Sequence, residues 1–269
     1  MRRRGAWWLV AACLAAGPAA AQSLDKTWLL QVGAYFPDID SKLRVDSSRG
    51  LGTTVDFERD LGFNRHRTLP AFLLEWRPGD DWVFDAQYYK LGRTSTKSLE
   101  RDISIGDTTY PVAGRVRAGF DSDIIRFTVG NRLFQWRNLE IGAGIGLHAT
   151  DFSVFIEGEG SVGGGTRSFR TESRSLFAPL PTIGVFLNAR PGRKVHVNAR
   201  VDWLSLTIDD YNGRLINAEA SLAYSLHRNI DVGAMYRLVD YRVRVTSADW
   251  TGRVDYKFNG PALFVQVGF

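Results

Sequence analysis

The chain has 269 residues and a formal net charge of +5, and its basic residues are dispersed rather than clustered, which argues against a nucleic-acid-binding protein. It contains 16 Phe, 9 Tyr and 8 Trp but a single cysteine, so no disulfide within the chain can stabilise it. After the N-terminal segment, no apolar stretch reaches the ~20 residues that a membrane-spanning helix needs.

The N-terminal segment, residues 1–21, has the three parts of a secretory signal peptide. Three arginines precede an almost unbroken apolar run, and Ala19 and Ala21 supply the small residues for cleavage after Ala21. Lipidation at Cys13 is a weaker alternative, because the apolar stretch before it is very short. We therefore predict an exported chain, residues 22–269, whose net charge is +2 because the signal holds three arginines and no acid.

The exported part consists of segments in which apolar residues alternate with polar or small ones. In the first segment Trp28, Leu30 and Val32 share one face, whereas Gln31 and Gly33 share the other. Such alternation is typical of strands that bury one face. Ten segments of this kind occur, at residues 28–36, 68–77, 82–89, 125–133, 139–148, 181–190, 195–203, 216–226, 230–238 and 260–269.

The connections between these segments alternate in length. Short turns at 78–81, 137–138, 191–194 and 227–229 alternate with longer polar stretches at 38–67, 93–112, 158–172, 207–214 and 243–253. A soluble β-sandwich would not predict this alternation, whereas an up-and-down barrel in an outer membrane requires it. An even strand number closes the sheet, and lipid cannot satisfy an open edge. We predict an all-β transmembrane antiparallel barrel of ten strands, with eight or twelve as alternatives.

Aromatic residues support a membrane location for this barrel. They fall at the strand ends, as do the aromatic bands that mark the two membrane interfaces of such barrels. Those at the short-turn ends are Trp28, Trp76, Trp82, Trp136 and Phe269, and those near the opposite ends are Tyr88 and Trp203.

The last residues of the chain carry a family resemblance. VQVGF at 265–269 resembles the C-terminal signature of outer-membrane β-barrel proteins, in which Val265, Val267 and Phe269 would be read by the barrel-assembly machinery. GTTVDFERDLGF, beginning at Gly52, is similar to a stretch of proteobacterial outer-membrane β-barrel domain proteins. The resemblance implies a multi-pass barrel in the bacterial outer membrane that contacts its lipid, periplasmic chaperones and the assembly machinery. We expect a monomer without a nucleic-acid partner.

Charged residues of both signs lie on the predicted inward faces. A ten-stranded barrel is little wider than the eight-stranded kind, whose side chains fill the interior, and buried charges must be paired. We therefore predict a salt-bridge network that plugs the lumen, with partners on adjacent strands such as Arg200 and Glu219. A groove above the inward glycines Gly142, Gly144 and Gly146 would favour a narrow channel instead. The predicted network comprises Glu75, Arg77, Asp85, Arg126, Arg132, Glu140, Arg190, Arg200, Asp202, Glu219, Asp231 and Arg237.

Catalytic motifs of barrel enzymes are incomplete in this chain. Outer-membrane proteases of ten strands carry acidic residues and an Asp–His pair at the rim, but Asp209, Asp210 and His66 form no Asp-x-His motif. Barrel acyl hydrolases use a His-x-Ser pair, and the nearest match runs from His148 to Thr150, directed inward. The four histidines lack metal-ligand spacing. We predict no enzyme, no metal site and no cofactor.

The first long loop, residues 38–67, contains enough apolar residues to be ordered. Leu43 and Val45, followed by Val55 and Phe57, predict a short hairpin that caps the barrel mouth. The glycine-rich stretch at 158–165 is expected to be a flexible surface loop. We predict a non-catalytic barrel with a structural or surface-binding role. The alternatives are a narrow pore for small solutes and a protease or lipid hydrolase with its site at the rim.

Overall fold

The computed structural model describes residues 26–47, 52–162, 165–208, 210–246 and 251–269. The predicted signal peptide, with Ala19 and Ala21, lies outside these ranges. No helix among the described residues is long and apolar enough to cross a membrane.

Most of the described residues form strands, which are numbered here in chain order. Their bounds are β1 Trp28–Tyr35, β2 Asp38–Val45, β3 Val55–Asp56, β4 Leu69–Trp76, β5 Trp82–Ser98, β6 Ile103–Ile105, β7 Thr108–Tyr110, β8 Arg115–Trp136, β9 Leu139–Val162, β10 Gly165–Ala189, β11 Val195–Ile208, β12 Tyr211–His227, β13 Ile230–Thr246 and β14 Thr251–Gly268.

Ten of these strands close into an antiparallel barrel. The order is β1-β4-β5-β8-β9-β10-β11-β12-β13-β14, and β14 pairs back onto β1. At the closing seam Trp28 and Phe269 exchange two backbone hydrogen bonds of 2.9 Å. Closure leaves no strand edge unpaired in lipid. The predicted ten-stranded up-and-down barrel is confirmed.

The wall separates an apolar outer face from a polar inner one at the level of the membrane. Outward residues such as Val185, Ile145 and Leu263 are 58%, 67% and 59% exposed, whereas inward residues such as Arg126 and Asp202 are buried. Large exposed apolar residues over a whole band are expected where lipid replaces water. The parity predicted from the sequence is therefore confirmed for these strands.

Aromatic residues mark the two limits of this band. At the short-turn end Trp28 stacks on Trp76 with ring centroids 5.4 Å apart. At the other end the hydroxyl of Tyr88 donates to Asp123 at 2.7 Å, and that of Tyr236 donates to Asn259 at 3.1 Å. Tyrosines with an apolar ring and a hydrogen-bonded hydroxyl are typical of a membrane interface. We therefore place the outer interface at the level of these two tyrosines.

Above this interface the wall continues out of the membrane. The predicted loop at 38–67 begins with β2, which pairs with β14 from Asp38 opposite Asn259 to Val45 opposite Gly252. Its predicted hairpin partner is β3, with Leu43 opposite Val55, and residues 48–51 between these two strands lie outside the described residues.

The other long connections contain strand as well. The stretch expected to be a flexible loop at 158–165 continues β9 to Val162 and starts β10 at Gly165. Between β5 and β8, the short strands β6 and β7 form a hairpin. These connections are therefore upward extensions of the barrel wall rather than irregular loops.

The interior has two levels of different chemistry. At the level of the membrane it is lined by charged and amide side chains, but above the membrane it is a hydrophobic core. Here Phe57 from the first long connection contacts Phe120 with ring centroids 5.4 Å apart. Phe152 and Tyr256 complete the cluster at 5.9 and 5.4 Å from Phe120. The first connection thus folds into the mouth of the barrel and is packed there.

Candidate functional site: a charge network and a cap that close the lumen

The centre of the lumen is occupied by ion pairs that cross it. Nη1 of Arg200 on β11 lies 2.8 Å from Oδ2 of Asp85 on β5, and its Nε lies 2.9 Å from Asp202. All three side chains are less than one-tenth exposed. Thr128 adds a hydrogen bond to Asp85 at 2.8 Å, and Asn217 adds one to Asp202 at 3.2 Å. Paired and hydrogen-bonded charges of this kind can remain ionised in a low-dielectric interior.

Two further arginines extend this central group. Nη2 of Arg126 lies 2.5 Å from Asp202, and its Nη1 lies 3.8 Å from Glu219. Arg237 binds Glu219 at 2.6 Å and also donates to Gln87. The guanidinium nitrogens of Arg126 are close to these carboxylates but form no well-directed hydrogen bond with a described residue. Arg126 is therefore held mainly by electrostatic attraction to the carboxylates of Asp202 and Glu219.

A second group lies near the short turns. Arg77 lies 2.5 Å from Glu75 and 3.0 Å from Glu140, and Arg132 lies 3.2 Å from the other oxygen of Glu140. Arg132 also donates to the carbonyl of Gly79 at 2.6 Å. This group ties the β4–β5 turn to β9 and narrows the periplasmic end of the lumen.

The remaining two predicted residues lie at the edge of the network. Arg190 is half-buried at the periplasmic mouth and donates to the carbonyl of Arg137 at 3.4 Å. Asp231 is buried and accepts a hydrogen bond of 2.7 Å from Gln266. All twelve predicted residues therefore face the lumen or its mouth.

The partners differ from those expected on adjacent strands. Arg200 and Glu219 stand opposite each other in the β11–β12 register, as predicted, but their direct ion pairs are made with other residues. Arg200 binds Asp85 across the lumen, and Glu219 binds Arg237. A long arginine side chain reaches the far wall of so narrow a barrel, so strand adjacency does not determine the pairs.

Charge is balanced within each group. The central group has Arg126, Arg200 and Arg237 against Asp85, Asp202 and Glu219, and the periplasmic group has two arginines against two glutamates. Below the central group a cavity of about 90 Å³ remains, lined by both charged and apolar side chains. Such a volume accommodates a few waters.

The inward glycines do not form an open groove. A Cβ at Gly142 or Gly130 would collide with the ring of Phe186, which is 5% exposed and fills that space. A Cβ at Gly184 would collide with the carboxylate of Asp202. These glycines therefore make room for a plugging aromatic ring and for the charge network.

The cap above the network is held by a buried ion pair that the sequence did not point to. Arg93 on β5 lies 2.5 Å from Glu58 of the first connection, and their side chains are 0% and 2% exposed. Arg93 also donates to the hydroxyl of Ser41 at 2.6 Å, while Glu58 accepts from the Ser41 backbone at 2.9 Å. The guanidinium lies 5.2 Å and 5.3 Å from the ring centroids of Phe63 and Phe120, a distance at which cation–π attraction operates.

A second clamp fastens the same connection at its outer side. Asp60 receives hydrogen bonds from Arg101 at 2.6 Å and from the backbone of Asp56 at 2.9 Å, and Arg59 lies 3.1 Å away. Burial alone would raise the pKa of Asp60, but the hydrogen bonds from Arg101, Arg59 and Asp56 outweigh it and lower the pKa to about 2. In the sequence, only the triplet Glu-Arg-Asp at 58–60, which places three charges between Phe57 and Phe63, could have indicated these buried ion pairs.

The residues considered for catalysis do not assemble into a site among the described residues. His148 is buried beside the ring of Tyr241, and the hydroxyl of Thr150 is buried without a hydrogen bond to a described residue. His66 and Asp210 are exposed, and Asp209 lies outside the described residues. No group of three or more potential metal ligands occurs in the described part of the chain.

Comparison with known proteins shows a shared fold. No protein-family model and no curated protein sequence matches the chain. Among solved structures it is similar to the outer membrane protease OmpT from Escherichia coli, with a TM-score of 0.62 and 10% identity, over 90% of this chain and 96% of that one.

Weaker similarities connect the chain to other outer-membrane barrels. The P. putida toluene transporter TodX matches with a TM-score of 0.38, 9% identity and 90% coverage of both chains. Ail of Yersinia pestis matches with a TM-score of 0.35 and 10% identity, over 88% of this chain and 97% of that one. At such identities similarity concerns the fold alone. This chain therefore has the fold of outer-membrane β-barrel proteins, and its apolar band with aromatic residues at both limits is the surface that such a barrel presents to lipid.

Proposed function

We propose that this protein is a closed, non-catalytic outer-membrane barrel that acts through its extracellular surface and does not pass solutes through its lumen. The observation that supports this is the presence of two seals in series, the charge network in the membrane and the packed cap above it. A structural or surface-binding role follows, because a sealed barrel still presents a rigid wall to the lipid and to the medium.

The crossing ion pairs are the main argument against a pore. They connect β5 with β11 and β8 with β12, so they span the section that a solute would have to cross. Opening this section would leave buried charges without partners, which costs several kcal/mol for each broken pair. The hydrophobic core under the cap would have to open as well.

A narrow gated pore is the second candidate. The cavity of about 90 Å³ below the central group favours it, and so does the guanidinium of Arg126, which donates no well-directed hydrogen bond to a described residue. A rearrangement confined to Arg126 would leave the Asp85–Arg200 pair intact.

Catalysis has weaker support. The His148–Thr150 motif is buried at the outer end of the lumen, where neither lipid nor an extracellular substrate reaches it. The similarity to OmpT, at 10% identity, concerns the fold alone and gives no support for a catalytic site in this chain.

Solute flux into liposomes tests the closed lumen. The refolded protein, a porin as positive control and protein-free liposomes are compared in a swelling assay with arabinose and glycine. We expect the protein to swell liposomes no faster than the protein-free control. Swelling at a porin-like rate would overturn the closed-lumen proposal. Peptidase or lipase turnover that His66→Ala or Asp210→Ala abolishes would overturn the non-catalytic part.

A further inference from the structure

Basic side chains form a patch on the outer wall just above the membrane. We call it the basic face and define it as the outward cations of β2, β12, β13 and β14 in three successive rows of the sheet. In the middle row Arg214, Arg242, Asp255 and Lys42 are register neighbours. The members of the basic face are Lys42, Arg44, Arg214, Arg242, Arg244, Arg253 and Lys257.

The basic face has more positive charge than its own carboxylates neutralise. Its seven cations share their rows with only Asp40, Asp240 and Asp255, and Asp46, just beyond the rows, pairs with Arg44 at 2.7 Å. Arg214 and Arg244 are exposed and make no ion pair with a described residue. The paired cations remain accessible, since the side chains of Lys42, Arg44, Arg242, Arg253 and Lys257 are 38–46% exposed.

The position of the basic face is what suggests its ligand. On β13, Arg242 and Arg244 follow Tyr236 and Leu238, which are 54% and 41% exposed in the apolar band. On β14, Lys257 lies two residues from Asn259, which accepts the hydrogen bond of Tyr236 at the outer interface. Because strands rise about 3.3 Å per residue, the cations stand within ~7–20 Å of the edge of the lipid band along the strands.

The opposite wall at the same height has a different character. There β8 and β9 present Asp121, Asp123 and Asp151 beside Lys90 of β5. Arg115 and Arg117 of β8 are exposed higher on this wall, where Arg117 lies 3.4 Å from Glu157. Among the described side chains, an excess of positive charge just above the lipid is therefore found on the basic face and not on this opposite wall.

We infer that the basic face binds the phosphate groups of a phosphorylated glycolipid in the outer leaflet. Arginine donates paired hydrogen bonds to phosphate oxygens, and basic side chains near an anionic membrane surface are attracted to its phosphates. The basic face lies on the outer wall of the barrel, directly above the apolar band of β12, β13 and β14, so its side chains point toward neighbouring lipid headgroups. A lipid can therefore place its acyl chains on Leu238 and Leu263 and its phosphates on the cations above.

This inference deepens the surface-binding part of the proposed function and rests on it. It is independent of whether the lumen conducts. A barrel that swells liposomes but binds the lipid would overturn only the closed lumen. A closed barrel without lipid binding would overturn only this inference.

Binding of a defined lipid tests the inference. The refolded protein in dodecyl maltoside is titrated with bis-phosphorylated lipid A and, separately, with dephosphorylated lipid A, inorganic phosphate and heparin, and bound lipid is counted by native mass spectrometry. The triple variant Arg214→Gln/Arg242→Gln/Arg244→Gln is compared with a matched triple variant on the opposite wall, Lys90→Gln/Arg115→Gln/Arg117→Gln. Heat-modifiable migration in gels verifies that each barrel is folded.

We expect lipid A to bind at least tenfold more tightly than its dephosphorylated form. The basic-face variant should lose this preference, and the opposite-wall variant should keep it. Equal binding of both lipids, or equal loss in both variants, would overturn the inference. Heparin or inorganic phosphate binding as tightly as lipid A, with the same dependence on these arginines, would instead identify a soluble anion and overturn the lipid assignment. If the triple variant does not fold, Arg244→Gln alone should still weaken lipid A binding, and an unchanged affinity would count against the inference.

Discussion

Asp85 and Arg200 form an ion pair of 2.8 Å although three strands separate β5 from β11 on the shorter side of the ring. The pair therefore bridges the lumen and does not follow the wall. Together with Arg126, which reaches from β8 to Glu219 on β12, it joins opposite walls in the middle of the membrane. The closed character of the barrel depends on these bridges.

The bridge predicts strong energetic coupling between its two residues. Arg200→Ala should lower the free energy of unfolding by ~3–5 kcal/mol, because Asp85 is left buried without its partner. Asp85→Ala in the same chain should restore part of that loss. A double-mutant cycle, measured by urea unfolding in detergent or lipid, gives the coupling. The exposed pair Lys90–Asp123 is the control, with an expected coupling of ~0–1 kcal/mol. Equal coupling for both pairs would contradict the bridge.

The lipid-facing band predicts that charge is tolerated according to depth. Val185 lies outward and is 58% exposed. Val185→Arg should therefore lower the free energy of unfolding of the membrane-inserted barrel by ~2–4 kcal/mol. Thr246→Arg is the matched control, since Thr246 also points outward but lies above the band. Urea unfolding in lipid vesicles measures both. Equal losses for the two variants would contradict the assigned membrane level.

The cap predicts that one buried ion pair controls the order of the first connection. Arg93→Met leaves Glu58 buried without its cation, which costs about 3–5 kcal/mol for a broken buried pair. Amides of residues 55–63 should then exchange with solvent at least tenfold faster. Arg44→Met is the control, because its pair with Asp46 is half-exposed. Unchanged exchange in Arg93→Met, measured by mass spectrometry, would show that the aromatic packing alone holds the cap.

The C-terminal resemblance predicts a role for Phe269 in assembly. Its side chain is 51% exposed at the short-turn end of β14, beside Trp28 at the closing seam. Phe269→Asp should leave export across the inner membrane intact but lower the amount of folded barrel in the outer membrane. Phe269→Trp keeps an aromatic ring and should assemble normally. Parental levels of Phe269→Asp in outer-membrane fractions would argue against the assembly signal.

The sequence predicted the membrane level of the fold because one rule governs it. Alternation with a period of two places Val185 in lipid and Asp202 in the lumen, and the turn lengths determine the strand order. The register that places Arg200 opposite Glu219 follows from the same facts. The identity of the ion pairs does not, because an arginine side chain can span the barrel and select an acid at its own height.

The upper level could not be predicted in the same way. Above the membrane the period of two persists, but water replaces lipid outside, so apolar residues turn inward and polar residues outward. In β2, Ile39 and Leu43 therefore alternate with Asp40 and Lys42. Because the outward residues of this strand are polar, its sequence resembles that of a polar loop and not that of a lipid-facing strand. The Glu58–Arg93 pair joins residues 35 positions apart, and no local pattern indicates it.

Single-channel recording in a planar bilayer tests the closed barrel most directly. The parent protein is compared with the triple variant Asp85→Ser/Arg126→Ser/Arg200→Ser, in which the bridges are removed, and with a porin of known conductance. A closed barrel predicts no current steps for the parent above the bare bilayer. The triple variant alone keeps its cap. When Arg93→Met is added to it, the cap should loosen as well, and current steps are then expected. Steady conductance of the parent, with an ion selectivity that Arg200→Ala changes, would contradict the closed lumen and establish a pore.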